Sequence, residues 1–342
     1  MVEFTMKMEL CVLKENESEK WDKIVDSSPY GTIFHRWKFL KIIEKHTNTK
    51  LNPIIVYEKS NDIGVFPIFF QNKFMFRAVF SPPPHAAVPY LGPLIIDYDI
   101  LKPHQRESNF IHFQNKVNDF IFRELKPNYI NVVLSPDLLD GRPFMWTNHE
   151  VKPQYNYIID LTKGEECIWS QFQKNLREGI TKTVRRGAIV EESGVDGLNL
   201  IYDNFKGRYQ EQNRNPSISK DYLSEVYNSF HPENLRIFIC LFDGEVVGGT
   251  INICYKNKIS SWLGSAKTNI TGLYTNDLTQ WECMKWACKN NFKIYEEIGA
   301  NTERLWQFKS KYNPELSICL NARKYSSVFY KWMESSYKLV RH

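Results

Sequence analysis

The strongest constraint in this chain is that one structural pattern is written twice. Residues 51–82 read Ile54-Ile55-Val56-Tyr57, a polar turn at Ser60-Asn61-Asp62, the run Ile63 to Phe70, a second turn at Gln71-Asn72, and then Phe74 to Phe80. Residues 235–266 read Ile237 to Phe242, a turn at Asp243-Gly244, Val246 to Ile253, a turn at Lys256-Asn257, and Ile259 to Leu263. Short β-branched and aromatic runs separated by two-residue turns of this composition predict three antiparallel strands in each segment. A helical stretch and a further strand follow each meander. They are Phe110 to Leu125 with Tyr129 to Leu134, and Leu278, Trp281, Met284 and Cys288 on one helical face with Phe292 to Tyr295. Before each meander comes a strand and helical sequence: Leu10 to Leu13 with Trp21 to Val25 and Trp37 to His46, and Tyr157 to Asp160 with Glu165 to Arg186. The order β, α, β-β-β, α, β thus occurs twice, and an internal repeat of this length predicts a duplicated unit.

The linker is expected near Lys152-Pro153-Gln154, which gives domains 1–153 and 154–342. A length of 342 residues suits two domains, and 42% hydrophobic with 24% charged residues describes a globular protein. The net charge of +5 admits an anionic ligand and is too small to announce a dedicated nucleic-acid binder. Seven cysteines show no Cys-x-x-Cys pair, and there is no apolar leader or 20-residue apolar run. Reduced thiols, a cytoplasmic setting and no membrane span are therefore expected. Eight histidines lie far apart without ligand spacing, so no metal site is expected.

The chemistry-bearing tract runs from Ile298 to Tyr312: a strand-like run ending in Gly299, a polar loop, and Phe308-Lys309. Such an arrangement can aim a lysine back at a strand end, where it would meet a developing oxyanion. Upstream, Trp169 to Arg186 read as one amphipathic helix with Trp169, Phe172, Leu176, Ile180 and Val184 inward. Lys174, Lys182, Arg185 and Arg186 lie outward, Arg177 sits at the edge, and only Glu178 is acidic within the run. Like charges three and four apart repel, which points to an anion nearby.

The repeated order is the plan of the GNAT acyltransferase fold, and two such units in tandem resemble the Fem family of peptidyl transferases. Four segments carry the resemblance. They are Phe34-His35-Arg36-Trp37, the basic pattern Lys174, Arg177, Ile180, Lys182, Arg186, Gly187, the segment Tyr274-Thr275-Asn276-Asp277-Leu278, and Gly299 followed by Phe308-Lys309-x-x-Tyr312. The resemblance implies a mixed α/β fold, a tandem of GNAT domains with an interdomain cleft, in a compact form without the family's coiled-coil arm. It implies amide-bond formation by transfer of an aminoacyl group from aminoacyl-tRNA to an amine of a peptide or peptidoglycan-like acceptor. Lys309 beside Phe308 then stabilises the charge growing on the carbonyl, and Lys174, Arg177, Lys182, Arg185, Arg186, Tyr274 and Asn276 face the substrate. The arginine by which some relatives hold a precursor phosphate has no match in register; Arg208 or Arg214 stands near that place, and Lys41 falls near a first-half lysine.

Two alternatives remain at this level. One is a CoA-dependent N-acyltransferase, for which the stretch Gly264 to Tyr274 lacks the glycine-rich pyrophosphate turn. The first-half counterpart, Ser81-Pro82-Pro83-Pro84, is too proline-rich to offer a run of N–H donors, and His85 and Tyr90 are expected to wall an acceptor cleft. The other is a non-catalytic RNA- or ligand-binding duplicate. No cofactor beyond the acyl donor is expected: aminoacyl-tRNA, or acyl-CoA under the first alternative. The expected partners are tRNA and a small-molecule or peptide amine, and the sequence assigns no oligomeric state.

Overall fold

Two units divide the chain. One runs to Gln154 and resumes at Ile318; the other is Tyr155–Ser317. The computed structural model describes residues 8–73, 76–211, 213, 216, 218–264 and 270–331. The expected division gave everything after residue 153 to the second domain. Instead the last strand returns to the first unit, because its outer half pairs there.

In the first unit β1 (Met8–Val12) leads to helices α1 (Ser18–Ser27) and α2 (Trp37–Thr47), and then to the meander β2 (Lys50–Glu58), β3 (Asn61–Lys73) and β4 (Phe76–Ser81). The short β5 (Leu94–Ile95) pairs with β3, and Gly64 is required where they meet, since a Cβ there would lie 2.5 Å from the Leu94 carbonyl oxygen. Helix α3 (Pro103–Phe120) is the crossover that lets β6 (Tyr129–Val133) pair in parallel with β4, Ala78 opposite Tyr129. A short α4 (Arg142–Met145) follows.

Phe34 and Trp37 are core residues, and the wholly buried His35 is tied to Thr32 Oγ1 at 2.8 Å and the Leu91 carbonyl oxygen at 3.0 Å. That segment is structural. Tyr90, expected to wall a cleft, is also core, packed with Val133 and Cys319; His85 is exposed. Lys41, expected near substrate, stands on α2 paired with Glu44 and, at 3.6 Å, with Glu15.

The second unit begins within β7 (Glu150–Asp160) and continues through α5 (Glu165–Gln171), α6 (Lys174–Arg185), β8 (Ile189–Ser193), α7 (Val195–Glu211) and α8 (Lys220–Phe230). The meander β9 (Leu235–Phe242), β10 (Glu245–Tyr255), β11 (Lys258–Gly264) comes next, then α9 (Thr275–Lys289), β12 (Ile294–Glu297), α10 (Glu303–Lys309) and β13 (Glu315–Tyr325). Asp243 and Gly244 both take the left-handed conformation (φ 51° and 79°), the geometry of a tight hairpin turn. Strand β12 runs parallel to β11 after the α9 crossover and antiparallel to β7 on its other side. Meander, crossover helix and parallel strand therefore occur in both units, as the repeat predicts. The end of β13 pairs antiparallel with β6, Tyr325 opposite Tyr129.

The helix expected to be continuous over 169–186 is broken. Phe172 is extended (φ −61°, ψ 146°), and its ring is buried edge-on to Trp281 and Tyr312, each at 5.3 Å. Burying that ring in an aromatic pocket outweighs one more helical turn. On α6 the inward face is Leu176, Gly179, Ile180 and Thr183, while Val184, expected inside, is exposed. Among the described residues no helix is long and apolar enough to cross a membrane, and no group of His, Cys, Asp and Glu is placed to hold a metal.

Candidate functional site

The site is built where β12 ends. Glu296 and Glu297 are successive strand residues, so their side chains leave opposite faces, and both are buried. Glu296 accepts from Ser260 Oγ at 2.7 Å and Asn156 Nδ2 at 3.3 Å. The chain then turns at Gly299, whose φ of 83° suits glycine, with its N–H held by Asn156 Oδ1 at 2.7 Å. Thr302 caps α10 by accepting from the Leu305 N–H at 3.4 Å. Phe308 and Lys309 occupy the last turn of this helix; the loop position expected for them is replaced by a helical one.

Lys309 is 7% exposed. Its Nζ donates to the carbonyl oxygens of Ile298 (2.5 Å) and Gly299 (3.0 Å) and lies 3.4 Å from Glu297 Oε2. Two carbonyls at a strand end thus fix a cation in place. Burial pushes the Glu297 carboxyl above its ordinary range, with Lys309 pulling the other way. A second buried pair stands beside the first. Lys311 Nζ is 2.6 Å from Asp277 Oδ1, Tyr312 Oη donates to the same oxygen at 3.0 Å, and Lys311 sits 4.4 Å from the centre of the Phe308 ring. Phe308 is therefore a platform for Lys311. Burial also drives the Tyr312 hydroxyl far above its ordinary range.

These groups surround a cavity of about 500 Å³ within the second unit, a size typical of small-ligand sites. Arg208 from α7, Tyr274, Asn276 and Asp277 at the start of α9, and Arg304, Phe308 and Lys309 from α10 all contribute to its walls, with Glu297 and Lys311. Arg208 and Arg304 have no anionic partner among the described residues, so the cavity carries uncompensated positive charge.

Of the residues singled out in the sequence, the fold brings Lys309, Phe308, Arg208, Tyr274 and Asn276 together. The basic residues of α6 do not line the cavity. Lys182, Arg185 and Arg186 are exposed, Lys174 is exposed and 3.8 Å from Glu178, and Arg177 is half-buried with Nε unpartnered among the described residues. They adjoin it, however: Arg186 Nη1 donates to the Thr271 carbonyl at 2.8 Å, and Thr183 Oγ1 accepts from the Tyr274 N–H at 2.9 Å. Gly179 is packed so tightly on the Tyr274 ring that a Cβ would stand 3.0 Å from it. Lys41 does not line the cavity. Arg214, and residues 265–269 of the stretch compared with the pyrophosphate turn, lie outside the described residues. The sequence assigns no role to Glu297, Asp277, Thr275 or Arg304, and Lys311, a rival two positions from Lys309 expected to face elsewhere, instead lines the same cavity. An acidic residue ending an apolar strand was the available signal for Glu297; nothing local pairs Asp277 with Lys311 across 34 residues.

Residues 170–310 match the family model described as an acetyltransferase (GNAT) domain. Among solved structures, FemX superposes with a TM-score of 0.69 at 14% identity, over 91% of this chain and 96% of that one. A tandem GNAT protein from the clavulanic acid biosynthesis pathway gives 0.56 at 8% identity, over 94% and 99%. The C-terminal domain of a putative lysylphosphatidylglycerol synthetase from Agrobacterium fabrum gives 0.56 at 13% identity, over 90% and 91%. No curated protein matches the sequence. The fold is thus a tandem GNAT fold of the FemX kind.

Proposed function

We propose that the cavity of the second unit carries out acyl transfer to an amine, with an aminoacyl ester of tRNA as the donor. The observation that carries this reading is Lys309: a buried ammonium, held by two carbonyls at the end of β12, in the wall of a cavity large enough for an aminoacyl group. Attack of an amine on an ester carbonyl puts negative charge on the carbonyl oxygen. A fixed, buried cation stabilises that charge without first reorganising, and such a donor contributes on the order of a hundredfold or more in rate. The exposed row Lys182, Arg185 and Arg186 supplies a surface for the phosphates of the donor's acceptor end, next to the loop that opens α9.

The family match to an acetyltransferase domain favours acyl-CoA as a second reading of the donor. Against it, the first turn of α9, where a pyrophosphate would take helix N–H groups, carries the buried Asp277 carboxylate, and the Tyr274 N–H is already taken. Thermal denaturation with uncharged tRNA and with acetyl-CoA separates the donors, since only a ligand of the folded state raises Tm. Single-turnover transfer from a mixed aminoacyl-tRNA pool to a primary amine, by wild type and by Lys309→Met, tests the chemistry. Full turnover by Lys309→Met refutes the role of Lys309.

A further inference from the structure

Two buried polar atoms in the walls of this cavity have no hydrogen-bond partner among the described residues: Glu297 Oε1 and Thr275 Oγ1. Each residue is 2% exposed. A buried carboxylate oxygen left unpaired is costly, and its neighbours do not relieve it. Lys309 lies at 3.4 Å from the other oxygen, Oε2, and spends its closer contacts on the carbonyls of Ile298 and Gly299. The second cation of the site, Lys311, is engaged by Asp277 at 2.6 Å. Two residues that line the same cavity thus each keep one buried polar atom, an acceptor oxygen and a hydroxyl, without a partner among the described residues.

We propose that Glu297 Oε1, with Thr275 Oγ1, is the docking point and proton acceptor for the amine that receives the acyl group, so that the acceptor is a primary amine arriving as its ammonium ion. This rests on the acyl-transfer reading and adds a residue to it. The ammonium gives one proton to Glu297 and becomes a neutral amine. Its lone pair forms the C–N bond at the acyl carbon while the carbonyl π pair moves onto oxygen. When the intermediate collapses, the C–O bond to the donor breaks, and the departing oxygen takes the second proton from nitrogen. Glu297 later returns its proton to water, so the net reaction releases one proton.

The geometry couples this step to Lys309. Once Glu297 is neutral its attraction for the ammonium 3.4 Å away falls, and that charge is left to the oxyanion being formed. Burial has already raised the proton affinity of the carboxyl. Asp277 also raises it, while Lys309 and Lys311 lower it.

Calorimetric titration of n-butylamine into the full chain near neutral pH, with n-butanol as the uncharged control, tests the site. Saturable butylamine binding to wild type, weakened at least tenfold in Glu297→Gln and less in Thr275→Val, with no binding of butanol, is the expected result. The Gln carbonyl keeps an acceptor for Lys309, so Glu297→Gln should fold. If it does not, Glu297→Asp, which keeps the charge but withdraws it by one methylene, should show a similar loss. Equal binding by wild type and variant, or none by wild type, overturns the inference. Single-turnover transfer keeps the two claims apart. Butylamine bound at Glu297 but never acylated upholds the amine site and sinks the transferase reading. Transfer by Glu297→Gln at the wild-type rate and pH profile does the reverse.

Discussion

Replacing Lys309 by Met, alone and together with Glu297→Gln, separates what the buried lysine does for the fold from what it does for the reaction. Lys309 makes two hydrogen bonds to carbonyls and one ion pair at 3.4 Å with Glu297, and both of these side chains are less than a tenth exposed. Removing one partner of a buried pair typically costs about 3–5 kcal/mol, because the other charge is left stranded. Here Glu297 sheds its charge readily, since burial has raised its carboxyl, so the low end of that range, about 3 kcal/mol, is expected for Lys309→Met. Adding Glu297→Gln removes the stranded charge and should return roughly half of this, which makes the two substitutions coupled by about 1–2 kcal/mol. Turnover should behave differently. A glutamine restores no cation and also removes the proposed proton acceptor, so Lys309→Met should lose on the order of 10²–10³ in single-turnover rate and the double variant at least as much. Urea denaturation of the four proteins gives the stability cycle, and transfer from aminoacyl-tRNA gives the kinetic one. Strictly additive stabilities would show that the pair is not felt by the fold. Recovered turnover in the double variant would show that Lys309 serves only to neutralise Glu297, and the oxyanion argument would fail.

Three further outcomes are expected. Burial first, and then the nearby Lys324, push His149 down to about 4 from an ordinary 6.5. The unfolded chain therefore binds a proton that the folded one refuses, and stability should fall by up to about 3 kcal/mol as pH drops from 6.5 to 4; His149→Gln should flatten that slope in a pH series of denaturation curves. Thr302→Ala removes the cap of α10, and because the bond is long at 3.4 Å a loss of only ~0.5–1 kcal/mol is expected by urea denaturation, with transfer slowed as Lys309 loosens. Lys182→Ala with Arg186→Ala, both exposed on α6, should reduce the dependence of log K on log salt for tRNA by about 1.5–2, measured by filter binding, with little change in Tm.

The amino-acid sequence determined the repeat. Strand-length apolar runs and two-residue turns such as Asp243-Gly244 are local signals, so both meanders and the helix-to-strand returns after them could be read without any tertiary knowledge. It also marked Gly299 and Lys309, since a positive-φ turn after a strand and a lysine one short helix later lie close along the chain. Contacts between distant residues were not legible. The break at Phe172 depends on Trp281 and Tyr312, more than a hundred residues on. The return of β13 to the first unit depends on β6, about 190 residues earlier, and its Leu316 and Ile318 are exposed, so its alternation does not report a buried face. Lys41 looked available until its carboxylate neighbours Glu44 and Glu15 were in place. Glu297 is the clearest case. Next to Glu296 it looks like half of an ordinary acidic pair, yet one side chain is satisfied by Ser260 and Asn156 while the other, in the cavity wall, keeps a buried oxygen without a partner among the described residues. Periodicity tells which face of an element is covered; what covers it, and whether a buried charge finds a partner, is set by residues the chain brings back from far away.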